Sequence, residues 1–448
     1  MATIQSIKNK IIDFKTRVGL FAIGKIEFFE LLNDFVDKIQ EMTYYKSVKD
    51  FGAVGDGIAD DTIAIQNAID VVSAKNGTCY IPCGTYKITD TLLIQKSIWL
   101  KGENSEGVII DIVSNTQKPA IKLNFYDEST PWGKFNGGGI SDISIECHRL
   151  CDGILIDINN PSSHHRGVYE NIKIVNPKIG FKGISDGGNA LYLCIFKNIV
   201  IEGWFGQYGF YFNGGCYNIF DGLSADMNEP YGNSTAIAFS FVQQGGTFIN
   251  LSTDGVGYFV IDGGSLTNYV CETKSTGFRS YYALFLDGNF DVKNISFFGL
   301  KKAEYDANWA QISGCESAIM LGVQRVNISN VIIGQVTNLA PIYPFALTSG
   351  GSGIIQNVYY KDFTSNGLTY NLLEVYVSAE NLQKYKFLGC DSITKTSNLG
   401  SNVVDALPVA TDKLRFTQLI LKGSIGVSDN IYVCVKNATN TYEWTKLN

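Results

Sequence analysis

Charge is scarce in this chain. Asp, Glu, Lys and Arg make up 18% of it, with a formal charge of −7, and no Lys/Arg cluster runs through an aromatic-rich stretch. The electrostatic footprint of a nucleic-acid binder is missing, so no nucleic-acid partner is predicted. Long apolar runs are missing as well. No uncharged apolar stretch reaches about 18 residues, and the N-terminus lacks a basic segment followed by an apolar run and a small-residue cleavage site. The expectation is neither secretion by a signal peptide nor membrane insertion. The ten cysteines are scattered and lack the spacing of a disulfide scaffold, which reads as reduced, buried thiols. Cys79/Cys83 and Cys147/Cys151 each enclose three residues, and His148 adjoins the second pair, but zinc sites are spaced more tightly. No cofactor is predicted. A calcium or magnesium ion among carboxylates stays open, although no ligand spacing compels it.

What the chain does contain suits stacked strands. Its 448 residues, 45% of them apolar, can bury a large core, and 46 glycines with 12% aromatics favour many turns and strands over helices. The exception is the start. Ile4, Ile7, Ile11, Phe14, Val18, Phe21, Lys25, Phe28, Leu32, Phe35, Ile39 and Met42 alternate spacings of three and four. As a helix this heptad leaves an apolar seam about 60 Å long, which association of identical chains buries most simply. Phe at successive d positions favours more than two strands. Residues 1–45 are therefore read as a coiled-coil neck that makes a homotrimer.

Residues 48–88 change character. Gly52, Gly55 and Gly57 allow tight turns, Asp60, Asp61 and Thr62 offer N-caps, and Ile63, Ile65, Ala68, Ile69 and Val72 line a short helix ended by Gly77. This stretch resembles the opening segment of the pectate-lyase-like superfamily, whose short helix caps a right-handed parallel β-helix. From residue 140 onwards an Asn followed by apolar residues returns at Asn171, Asn198, Asn218, Asn250, Asn268, Asn294, Asn327 and Asn357. Each is followed by a second strand opening on a small residue. Such a repeat cannot bury its own apolar face and must stack on its neighbours, and Asn at one position of each turn would bond amide to amide up the stack. The predicted fold is all-β, a single-stranded parallel β-helix over 46–365. The span 366–410 ends it as a linker, and 411–448 form a small β module resembling a terminal module of phage tail proteins. Neck, capped solenoid and terminal module together resemble phage tailspikes. That resemblance implies a virion tail protein, attached to the tail or baseplate through its N-terminus and acting on a bacterial surface polysaccharide.

The resemblance supplies no catalytic motif, so loop length takes its place. From Asn218 to Ala236 the offset is 18 residues, from Asn268 to Ala283 it is 15, and from Asn294 to Ala318 it is 24, against 7 from Asn250 to Gly257. Insertions on one face of a repeat protein mark its binding face. The loops carry Asp226, Glu229, Glu272, Glu304 and Asp306 as candidate acids and bases, because paired carboxyls flanking a glycosidic bond serve hydrolysis. Tyr231, Tyr281, Tyr282 and Trp309 offer flat area for sugar faces, and Arg279 an anion clamp. Glu202 and Trp204 form a reserve pair. His164, His165 and Arg166 read as a polar loop or as a lyase's base and clamp. Three activities stay open: an endo-acting hydrolase, a spike that binds without cutting, and a lyase or phosphodiesterase.

Overall fold

A computed structural model of the chain describes residues 44–113, 118–124, 134–158, 163–185, 191–227, 236–254, 259–272, 282–298, 304–305, 311–313, 317–321, 325–334, 343–347, 352–360, 373–375, 385–388, 403–404, 418–421, 430–436 and 441–446. The heptad of residues 4–42 lies outside them.

The first described strand, Tyr45–Ser47, runs into a 3-10 turn, Val48–Phe51, closed by a capping box between Ser47 and Asp50. Asp61 is buried because its carboxylate holds the glycine loop: Val54 N and Gly55 N donate to it at 2.6 and 2.9 Å. The capping of helix Thr62–Ser73 falls instead to Asp60, which accepts from Thr62 N at 3.0 Å and from the Thr62 and Thr89 hydroxyls at 2.5 and 2.7 Å. Those bonds hold its carboxyl below the usual range, the Thr62 hydroxyl contributing most. Ile65, Ala68, Ile69 and Val72 face the solenoid, as the sequence predicts. Ile63 does not, being 74% exposed on the far side of the helix.

Above this cap the strands stack in parallel, about 4.8 Å apart, with the same residue positions in register from turn to turn. One inward column runs Ile140, Tyr169, Phe196, Phe220, Phe248, Leu266, Val292, Ile328 and Ile355. Its rings lie nearly flat on one another: Tyr169 on Phe196 at 4.9 Å and 7°, Phe196 on Phe220 at 4.9 Å and 10°, Phe220 on Phe248 at 5.0 Å and 6°. Ring separation equals strand separation, so the strand pairing itself sets the stacking. The opposite wall adds Phe181, Phe210 and Phe239, in register and buried. Parallel pairing runs on through Leu373–Val375 and Tyr385–Leu388, inside the span read as a linker. A separate four-stranded sheet contains Val403–Val404, Gln418–Leu421, Asn430–Lys436 and Tyr442–Lys446.

The asparagine ladder is present, with two corrections to its membership. Asp142, Asn171, Asn198, Gly222, Asn250, Asn268, Asn294, Asn330 and Asn357 all have φ between 50° and 67°, the left-handed region that Asn tolerates better than other side chains. Each bends its strand at the same corner, and the amides chain upward: Asn268 Nδ2 donates to Asn250 Oδ1, and Asn294 Nδ2 to Asn268 Oδ1, both at 2.9 Å. Asn218 is not a member. It is fully buried, donating to Leu191 O and accepting from Cys194 N, and Gly222 holds its rung. Asn327 yields its place to Asn330, whose Nδ2 donates to Asn294 Oδ1 at 3.0 Å. Asn268→Ala removes two ladder bonds and leaves a Cβ at φ 59°. It should cost about 1–2 kcal/mol, and Asn268→Gly less, read as shifts of the urea midpoint.

Ser163–His165 form a short strand of the solenoid, not a polar loop, and His164 is buried edge-on to Tyr169 at 6.1 Å. Cys79, Cys147, Cys151, Cys194 and Cys271 are buried free thiols, whereas Cys83 is exposed. Burial pushes Cys79 and Cys194 up to about 12. No described helix is long and apolar enough to cross a membrane.

Candidate functional site

Four residues beyond each ladder position, the strand again points outward. At the rung of Gly222 the alternation is plain: Leu223, Ala225 and Met227 are buried, while Ser224 and Asp226 face out. Strand register then gives one outer column of Asp111, Glu146, Val175, Glu202, Asp226, Asp254, Glu272 and Phe298. Glu202, Asp226, Asp254 and Glu272 occupy successive rungs, and like charges directly opposite in a sheet destabilise it. Register thus brings four acidic positions to the edge where the strands end.

The lower end of the column is hydrogen-bonded from within the chain. His148 Nε2 lies 2.6 Å from Asp111 Oδ1, its backbone N donates to Glu146 Oε1 at 2.9 Å, and Asn176 Nδ2 reaches the same oxygen at 3.3 Å. Lys173 Nζ sits 3.0 Å from Glu202 Oε2. Higher up, hydroxyls take over: Ser224 Oγ donates to Asp226 Oδ1 at 2.7 Å, and Ser252 Oγ lies 3.0 Å from Ser224 Oγ. Removing the bridge in His148→Ala leaves two stacked carboxylates facing each other. We expect a loss of about 1 kcal/mol that added salt shrinks, followed by thermal unfolding at low and high ionic strength.

Of the residues singled out from sequence, Asp226 and Glu272 stand in this column with Glu202 of the reserve pair. Trp204 sits just beyond it, its N donating to Asn176 Oδ1 at 3.0 Å and its ring carrying the Arg149 guanidinium at 5.4 Å. That ring face is occupied from within the chain. Glu304 belongs to a two-residue strand that pairs antiparallel with Gln311–Ser313, so the longest loop begins as a hairpin, and Tyr282 opens the strand Tyr282–Phe298. Glu229, Tyr231, Arg279, Tyr281, Asp306 and Trp309 lie outside the described residues. Sequence reasoning missed Asp254, Glu146 and Asp111. A fixed offset of four from Asp142, Asn198, Gly222, Asn250 and Asn268 finds Glu146, Glu202, Asp226, Asp254 and Glu272 in turn.

In chemical terms, carboxyls on adjacent rungs start about 5 Å apart and those two rungs apart about 10 Å. Separations of about 5 Å suit a nucleophile with an acid, and 6.5–9.5 Å leave room for a water between base and acid. Side-chain rotamers bring either geometry within reach of this column. Among the described residues, no group of three or more His, Cys, Asp or Glu is arranged to hold a metal ion.

Residues 45–224 match the family described as rhamnogalacturonase A/epimerase, pectate lyase-like. Mannuronan C5-epimerase AlgE5 of Azotobacter vinelandii is 34% identical over 113 residues, which is 23% of this chain and 11% of that protein. The chain thus spans about a tenth of the length of this curated relative. Among solved structures, DFA-IIIase from Arthrobacter chlorophenolicus A6 superposes with a TM-score of 0.51 at 12% identity, covering 78% of this chain and 94% of that one. Geobacillus virus E2 ORF18 covers 93% of this chain and 76% of its own, with a TM-score of 0.45 and 16% identity. Stacked parallel strands and an N-terminal helical cap make the described residues a parallel β-solenoid, and its first part, residues 45–224, is what matches the pectate-lyase-like family.

Proposed function

We propose that this chain is a phage tailspike-like protein that grips a bacterial surface polysaccharide and cuts it by endo-hydrolysis. The polymer would be a capsule, an exopolysaccharide or a teichoic acid. The observation that carries the reading is the column Glu202, Asp226, Asp254, Glu272. A row of stacked carboxylates is costly to the sheet, and acid and base on neighbouring rungs are what glycosidic hydrolysis needs. A polymer lying along the column passes one rung after another at a spacing close to that of its own sugars. The match with an epimerase named for mannuronan supports a polysaccharide as the partner. In this reading the heptad of residues 4–42 joins copies into a homotrimer and mounts them on the phage tail, and the loops bearing Glu229, Tyr231, Arg279, Tyr281, Glu304, Asp306 and Trp309 flank the bound chain.

The test is incubation of the protein with purified host polymer while polymer size, reducing ends, ultraviolet-absorbing unsaturated ends and phosphatase-labile phosphomonoester ends are followed together. Hydrolysis predicts shortened polymer with new reducing ends alone. Unsaturated ends would make the protein a lyase, new phosphomonoester ends a phosphodiesterase, and binding without shortening an adhesin.

A further inference from the structure

A second outer stripe runs up the other end of the same strands, away from the carboxylates. Register aligns Tyr45, Thr78, Trp99, Gly139, Val168, Ile195 and Ile219 in one column. The column then turns polar at Thr247, Ser265, Asp291 and Asn327. Its lower part, apolar except at Thr78, rises roughly 30 Å at the spacing of parallel strands. Tyr45 is 48% exposed and Ile219 38%.

Beside its upper end lies a corner built from left-handed residues. Gly137, Arg166, Leu193, Tyr217 and Gly245 occupy equivalent positions, with φ of 74°, 56°, 55°, 55° and 64°. Gly137 N donates to His165 O, Arg166 N to Tyr192 O and Leu193 N to Cys216 O, one rung up each time. Gly suits that conformation, whereas Leu and Tyr pay steric strain for it. In the single chain they recover little by packing, since Leu193 is 48% and Tyr217 65% exposed. The Tyr217 ring is spread over the rung above: a Cβ on Gly245 would come within 2.8 Å of Tyr217 Cε1. Strained bulky residues that leave their apolar surface uncovered mark a face that is buried elsewhere.

We infer that the stripe from Tyr45 to Ile219, with Leu193 and Tyr217, is the surface on which a second copy of this chain docks in parallel. The position of the heptad selects that occupant. Its last apolar residue, Met42, lies three residues before Tyr45, so copies joined in parallel through that heptad, as proposed above, would bring their stripes together at Tyr45. Apart from Thr78 the stripe is apolar up to Ile219 and polar above it, as a contact that starts at the neck and ends part-way up the solenoid requires. Along its flank Lys101, Glu170, Lys197 and Asp221 share one outward column with alternating sign, giving the mixed polar rim of a protein interface. The inference rests on the self-association proposed above and is independent of whether the polymer is cut.

Disulfide trapping in the full-length chain tests it. Tyr217→Cys and, separately, Asp291→Cys are oxidised and the bridges mapped by mass spectrometry, with light scattering on the same samples. Tyr217→Cys should give a bridge between position 217 of two copies in most of the protein, and Asp291→Cys at least tenfold less. An oligomer with no bridge at 217, or with equal bridging at both positions, overturns the assigned face. A monomer by light scattering overturns the self-association itself. If Tyr217→Ala in such a monomer weakens polymer binding, the stripe is a glycan platform and the inference is wrong.

Discussion

Asp226→Asn and Asp254→Asn should each lower polymer turnover by about 10²- to 10⁴-fold, the usual loss when a proton-transfer group is removed, while leaving the fold at least as stable as before. The two effects have opposite signs for one reason. Asp226 and Asp254 face each other on adjacent rungs, and an amide in place of either carboxylate relieves like-charge repulsion in the sheet. The substitution is nearly isosteric, and the Ser224 hydroxyl that donates to Asp226 Oδ1 finds an amide oxygen in the same place. A carboxylate kept for folding would behave the other way, losing stability along with activity. Glu202→Gln and Glu272→Gln belong to the same series, with Glu229→Gln, Glu304→Gln and Asp306→Asn as the loop arm. Turnover and urea midpoint are read for each variant. Full activity in all four column variants, with a loss confined to the loop arm, would move the chemistry from the sheet edge to the loops.

Phe220→Ala should cost about 3–5 kcal/mol, the range for emptying a buried aromatic site. Its ring is flanked in the stack by Phe196 at 4.9 Å and Phe248 at 5.0 Å, and across the interior it meets Phe241 at 4.6 Å and Phe212 at 5.2 Å. A solenoid is held rung to rung, so a cavity at one level has only the adjacent rungs to collapse onto it. Ile63→Ala is the matched control. That residue is 74% exposed, and its loss should stay within about 0.5 kcal/mol. Denaturant unfolding of both variants measures the contrast. Equal costs would mean that the ring column is not what holds the turns together.

The solenoid was legible because its repeat is written in residue types that serve one geometry. Asn recurs because a left-handed corner tolerates it and because its amide can bond to the next rung, which Asn171, Asn198, Asn250, Asn268, Asn294 and Asn357 all do. Gly222 defeated the pattern. A glycine adopts the same backbone without an amide, and the nearby Asn218 offered a false substitute while in fact being buried to serve Leu191 and Cys194. That slip of four residues hid the register of the outer carboxylate column. Counted from Gly222, Asp226 has the same offset as Glu202, Asp254 and Glu272; counted from Asn218, it looks like part of a loop. The helix cap misled in a smaller way, since Ile63 is apolar but stands on the solvent side of a single-layer cap. The Trp204 ring could not be judged from sequence, because Arg149, which covers it, lies two rungs below.

The central claim is that the outer column of carboxylates is where a glycan chain is held and cut. A crystal structure of Asp226→Asn soaked with an oligosaccharide of the host polymer tests this most directly. The account predicts a fragment lying along Glu202, position 226, Asp254 and Glu272, with a glycosidic oxygen about 2.6–3.2 Å from one of these side chains, directly or through one water. A fragment seated on another face of the solenoid, with the column facing bulk solvent, would contradict it.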